Sequence, residues 1–136
     1  MTVGERMTRE VVTLCQDQSL RDAIDLFQRH RIRHIPVLDG EQVVGIVTDR
    51  DIKRATPSLL SGIDQEQYNK VLDETQVGQV MTRNPYTVTP SMSLRDAVKV
   101  LVDRKFGVLP VVEKNRLVGI LTDIDLLRAF YEILDQ

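Results

Sequence analysis

Tryptophan is absent, and three Tyr and three Phe are the only aromatics in 136 residues. The core must therefore be filled mostly by Val, Ile and Leu. A single cysteine, Cys15, excludes an internal disulfide; no motif marks it as reactive, so it reads as a small buried residue. Two histidines with no cysteine nearby give no metal-ligand spacing. No apolar run approaches the roughly 20 residues needed to cross a bilayer, and the opening Met1-Thr2-Val3-Gly4-Glu5-Arg6 lacks the apolar stretch of a secretory signal. A basic surplus is also missing: the net charge is −2, which argues against a nucleic-acid binder. No Gly-rich nucleotide loop, nucleophile–base set or acid–base pair can be assembled, which argues against an enzyme. These absences point to a cytoplasmic protein with an aliphatic core.

What is present is a duplication. Gly45-Ile46-Val47-Thr48-Asp49-Arg50-Asp51 returns 74 residues later as Gly119-Ile120-Leu121-Thr122-Asp123-Ile124-Asp125. The same offset relates Met7-Thr8-Arg9 to Met81-Thr82-Arg83, Ser19-Leu20-Arg21-Asp22-Ala23 to Ser93-Leu94-Arg95-Asp96-Ala97, and Pro36-Val37 to Pro110-Val111. An ungapped period of this kind marks a repeat. The expected organisation is repeat 1 over residues 1–56, a linker over 57–76 and repeat 2 over 77–136. Each repeat, at about 55 residues, is too small to bury a generous core alone, so the two should pack on each other.

Within repeat 1, Val11-Val12-Thr13-Leu14 predicts a short strand. Ser19 with Asp22 predicts a capping box, and Leu20, Ala23, Ile24 and Phe27 fall on one buried helical face. The helix ends in Arg29, His30, Arg31 and Arg33, cations that suit the negative end of its dipole. A strand follows over residues 34–38, and its Pro36 predicts an edge position or strand start. Asp39-Gly40 is a hairpin turn signal. Residues 42–48 form the next strand and residues 49–55 a short helix. Gly45 and Gly119 sit in strands, where close backbone approach explains them. In repeat 2 the first helix should bury Leu94, Ala97, Val98 and Leu101. The last helix carries extra apolar residues, including Leu127, Phe130, Tyr131 and Leu134, which suggests packing on something beyond its own repeat. The linker reads as loop followed by a polar helix, with no notable chemistry.

Met-Thr near the start of each repeat, an apolar-Pro-Val strand and a closing Gly-apolar-apolar-Thr-x-x-Asp resemble CBS domains, and a tandem pair of these resembles a Bateman module, most like stand-alone AcuB-like proteins. The resemblance implies an α+β fold of two β-α-β-β-α units packed sheet to sheet with pseudo-twofold symmetry. It also implies a regulatory module that takes AMP, ADP, ATP or S-adenosylmethionine in clefts between the repeats, requires no cofactor and signals to a regulated protein, while the apolar last helix suggests a homodimer. In such clefts the Asp of Thr-x-x-Asp accepts from ribose hydroxyls, and basic residues two and three positions before the strand proline meet phosphates. Carried over residue by residue, the first cleft takes Arg33, His34, Ile46, Thr48 and Asp51, with Thr89, Leu94, Phe106 and Gly107 as adenine wall. The second takes Cys15, Leu20, Ile32, Ile120, Thr122 and Asp125. Repeat 2 has Gly107 and Val108 where repeat 1 has Arg33 and His34, so the first cleft is expected to be the better nucleotide site.

Two bland readings stand beside these. Thr-x-x-Asp is also a capping box, with the spacing of Ser19 and Asp22, and one carboxylate can serve both roles. Basic residues at a helix end are usually solvated, which suits Arg29, His30 and Arg31. The alternative function is a structural or protein-interaction pair whose clefts are empty or degenerate.

Overall fold

The computed structural model describes residues 1–136, the side chain of Leu59 excepted. In chain order the elements are α1 (Val3–Arg6), β1 (Leu14–Cys15), α2 (Leu20–His30), β2 (His34–Asp39), β3 (Gln42–Thr48), α3 (Asp49–Ala55) and α4 (Gln65–Glu74). Then follow β4 (Thr82–Arg83), α5 (Leu94–Arg104), β5 (Val108–Glu113), β6 (Arg116–Thr122) and α6 (Asp123–Leu134). This is a mixed α+β chain, and it divides into two compact units. One is continuous, Val12–Asn84; the other is split, joining Met1–Val11 to Pro85–Gln136. Each unit therefore holds the helix and hairpin of one repeat and the Met-Thr-Arg segment of the other.

In the continuous unit the strand order is β1-β2-β3-β4. The strand expected over residues 11–14 is reduced to Leu14 and Cys15, paired in parallel with Val37 and Leu38. Pro36 supplies the reason, and its own placement is a second departure: it lies inside β2, which is flanked on both sides. The matching bridge of repeat 2 shows the pattern, with Val88 N–H donating to the Pro110 carbonyl and Val112 N–H to the Val88 carbonyl. The next bond upstream would need an N–H from the proline, which has none, so the ladder stops there. A third departure is Cys15, which is exposed rather than buried because successive strand residues face opposite ways and Leu14 takes the core side.

The core of this unit gathers Leu14, Leu20, Ile35, Val37, Val47 and Val77, all at or below 1% exposure. Ser19 and Asp22 close the expected capping box on α2, and Gly40 takes a left-handed φ of 62° at the hairpin turn. The linker contributes more than expected. Its helix α4 is polar in composition, yet it buries Leu72 and lays Tyr68 and Val71 against the same core. It also pairs with α2 through Arg21 and Asp73 at 2.5 Å. That hydrogen bond raises the Arg21 pKa above its ordinary value, but an exposed pair of this kind adds little stability.

In the split unit, α1 is capped by a Thr2–Glu5 box and sends Val3 into a core with Leu109, Val111, Leu121, Ala97 and Met7. Thr8 then runs antiparallel to β6: its N–H donates to the Ile120 carbonyl at 2.8 Å and its carbonyl accepts from the Ile120 N–H at 2.9 Å. Arg6 pairs with Glu132 on α6. The extra apolar residues of α6 are exposed, with Leu127 at 60%, Phe130 at 55%, Tyr131 at 69% and Leu134 at 67%.

Close approach does explain the strand glycines. A Cβ on Gly119 would lie 2.8 Å from the Thr8 carbonyl oxygen and 2.8 Å from Met7 Sδ. On Gly45 it would lie 2.9 Å from the Thr82 carbonyl oxygen and 2.8 Å from Met81 Cγ. The methionine can move aside, but the backbone oxygen belongs to a paired segment. Gly119→Ala and Gly45→Ala are each expected to cost about 1–3 kcal/mol by overpacking. Denaturant titration checks this; a cost below a few tenths would mean the Met-Thr segments sit loosely.

Candidate functional site

Thr48 ends β3 and caps α3, because an extended β-branched residue followed by Asp at the third helical position can close a reciprocal box. The Asp51 N–H donates to Thr48 Oγ1 at 3.1 Å, and the Thr48 N–H donates to Asp51 Oδ2 at 2.9 Å. The hairpin register sets His34 opposite Thr48, and the Asp49 N–H donates to the Arg33 carbonyl at 3.2 Å. Ile46 lies two residues before Thr48, on the same strand face, opposite Thr82 of β4. Arg33, His34, Ile46, Thr48 and Asp51 are thus gathered at the open end of one hairpin. Two first-turn amides of α3, those of Asp49 and Asp51, are already spent on protein acceptors, so less of this helix end is available to an anion than its sequence suggests.

The box recurs in repeat 2 with a different neighbour. The Thr122 N–H donates to Asp125 Oδ2 at 2.9 Å, the Thr122 hydroxyl to the same oxygen at 3.2 Å, and the Thr8 hydroxyl to Asp125 Oδ1 at 2.8 Å. A carboxylate has about four acceptor positions; Asp125 has three in use and is 6% exposed. Asp51 is half-buried, and its Oδ2 accepts from the Thr48 N–H. Thr82 is the counterpart of Thr8, yet it is exposed and its hydroxyl is not bonded to Asp51. Both boxes are caps. The second is the more heavily used, with three donors on Asp125.

The other residues assigned from the sequence are distributed as follows. Thr89, Leu94, Phe106 and Gly107 belong to the split unit, and the Asp51 hairpin to the continuous one. There Thr89 lines a groove with Thr2, Arg9 and Lys114, whereas Leu94 lines an apolar groove beneath α6, so the two do not form one wall within that unit. Cys15, Leu20 and Ile32 belong to the continuous unit, and Ile120, Thr122 and Asp125 to the split one. Leu20 has no exposed surface and is a core residue of α2. Thr8 and Thr82 were visible as a repeated Met-Thr pair, but nothing in the spacing linked residue 8 to residue 125. Among the described residues no cluster of His, Cys, Asp and Glu suits a metal, and no helix is long and apolar enough to cross a membrane.

Comparison with known proteins bears on this arrangement. The CBS domain family model matches residues 3–58 and 77–132. Protein MJ1225 of Methanocaldococcus jannaschii is 34% identical over 93% of this chain, which spans only 41% of that protein's length. The CBS domain-containing protein YhcV of Bacillus subtilis is 33% identical over 92% of this chain and 82% of its own. Among solved structures, a candidate acetoin utilization protein (AcuB) of Vibrio cholerae superposes with a TM-score of 0.83 at 33% identity, covering 99% of this chain and 93% of that one. CBSX2 in complex with AMP superposes at 0.81 with 32% identity and 98% coverage of both chains. The CBS domain pair of MJ0100, in complex with 5-methylthioadenosine and S-adenosyl-L-methionine, superposes at 0.79 with 25% identity and 98% coverage of both. The chain belongs to the CBS domain family and carries two of its domains.

Proposed function

We propose that this chain is a regulatory module that binds an adenine nucleotide at the open end of the β2–β3 hairpin, with Asp51 accepting from the ribose hydroxyls and Arg33 and His34 facing the phosphates. The observation that carries this is the unequal use of two caps that share the Thr-x-x-Asp pattern: Asp51 keeps acceptor capacity and solvent access, and Asp125 keeps little of either. The AMP complex of CBSX2 and the adenosine-ligand complex of MJ0100 support an adenosine compound. Ile46 and Thr48 complete the hairpin part of the site. Residues 1–56 and 77–136 are the proposed functional repeats, with 57–76 as linker. Ligand occupancy then biases an equilibrium that a partner protein reads, by its differential affinity for two states.

The Arg33 guanidinium favours AMP, ADP and ATP over S-adenosylmethionine, whose sulfonium carries positive charge. Affinity should rise with phosphate number and fall with added salt. Thermal melts across these four ligands check the order: a ligand at about 100 times its dissociation constant adds roughly 2.7 kcal/mol. No shift with any of them would contradict the proposal, and a preference for S-adenosylmethionine would contradict the role given to Arg33 and His34.

A second reading, a protein-interaction pair with unfilled sites, is favoured by one feature. The α6 face carrying Leu127, Phe130, Tyr131 and Leu134 is apolar and exposed, as a homodimer contact would be.

A further inference from the structure

Thr8 and Thr82 occupy the same place in the two repeats, and the structure records them in different states. Each follows a core methionine, each sits antiparallel to the closing strand of the opposite repeat, and each faces an isoleucine there: Ile120 for Thr8 and Ile46 for Thr82. Thr8 is half-buried and spends its hydroxyl on Asp125 at 2.8 Å. Thr82 is exposed and leaves Asp51 alone.

We propose that Thr8 is the residue that limits the protein to one nucleotide per chain, because its hydroxyl stands on Asp125 where a ribose hydroxyl would have to bind. The inference rests on the reading of Asp51 as a ribose anchor. A diol needs two acceptor positions, and Asp125 has about one left after Thr8 and Thr122 are counted. The occupant is intramolecular and already ordered. Two backbone hydrogen bonds to Ile120 hold it in place, and Met7 packs in the space that Gly119 leaves open. A ligand hydroxyl would have to displace a donor that loses no translational freedom by staying. Thr8 is therefore a specificity-determining residue that acts through Asp125.

The test is calorimetric titration with AMP and with ATP of the wild type, Thr8→Ala, Thr8→Ser and the double variant Thr8→Ala/Asp51→Ala. The expected stoichiometry is one for the wild type and for Thr8→Ser, which retains the hydroxyl. It is two for Thr8→Ala, with at least a tenfold gain in affinity at the second site. The double variant should keep one site. Thr8→Val, which removes the hydroxyl while preserving strand propensity, replaces Thr8→Ala if the latter does not fold cooperatively. One site in wild type and Thr8→Ala alike, with none in the double variant, would overturn this inference and leave the Asp51 reading intact. No binding by the wild type would overturn both.

Discussion

Deleting residues 1–11 is expected to unfold the split unit rather than trim a tail. The segment carries two core residues, Val3 at 0% and Met7 at 9% exposure, which pack against Leu109, Val111 and Leu121. Fully burying such side chains contributes about 1.5–3 kcal/mol each. The deletion also removes the antiparallel pairing of Thr8 with Ile120, the Arg6–Glu132 pair and the Thr8 hydroxyl on Asp125. Leaving that buried carboxylate one donor short costs a further ~1–3 kcal/mol. Together these approach the 5–15 kcal/mol that stabilises a typical domain. Circular dichroism should show a lower, broader transition. Hydrogen exchange should show β5 and β6 unprotected while β2 and β3 stay protected. Uniform protection in both hairpins would mean the N-terminal segment is dispensable. By the same reasoning residues 12–84, which keep Met81 and Thr82 on β3, should hold more structure than residues 1–56, which lose them.

The second large effect separates two aspartates that the sequence makes equivalent. Asp125→Ala removes the acceptor for the Thr8 hydroxyl, the Thr122 hydroxyl and the Thr122 N–H in a site that is 6% exposed. Orphaned buried donors and a lost cap combine to roughly 2–5 kcal/mol. Asp51→Ala loses one half-buried cap, worth about 1 kcal/mol. The melting temperature should therefore fall by roughly 10 °C or more for Asp125→Ala and by a few degrees for Asp51→Ala. Equal losses would mean that the Thr8 bond contributes nothing.

Much of this fold was legible because repeated residues carry local rules. Ser19–Asp22, Thr48–Asp51 and Thr122–Asp125 announced helix starts by spacing alone, and all three close as boxes. Gly45 and Gly119 announced a close approach, though not by what. The exchange of Met-Thr segments was not legible, since a pairing between residues 8 and 120 is set by tertiary packing and leaves no local mark. Pro36 misled because a donor lost inside a sheet is harmless when the neighbouring ladder simply ends there. In the candidate site the inequality of the repeats was visible in Arg33 and His34 against Gly107 and Val108. The stronger cause of inequality, Thr8 on Asp125, was hidden because Thr8 and Thr82 are the same residue at the same repeat position.

Calorimetric titration of Asp51→Ala and Asp125→Ala with AMP and ATP, each protein first shown to be folded at the working temperature, tests the central claim. The expected result is loss of binding in Asp51→Ala and nearly unchanged affinity in Asp125→Ala, despite the latter's lower stability. Equal loss in both variants, or binding that survives Asp51→Ala, would contradict the assignment of the nucleotide site to the first repeat's carboxylate.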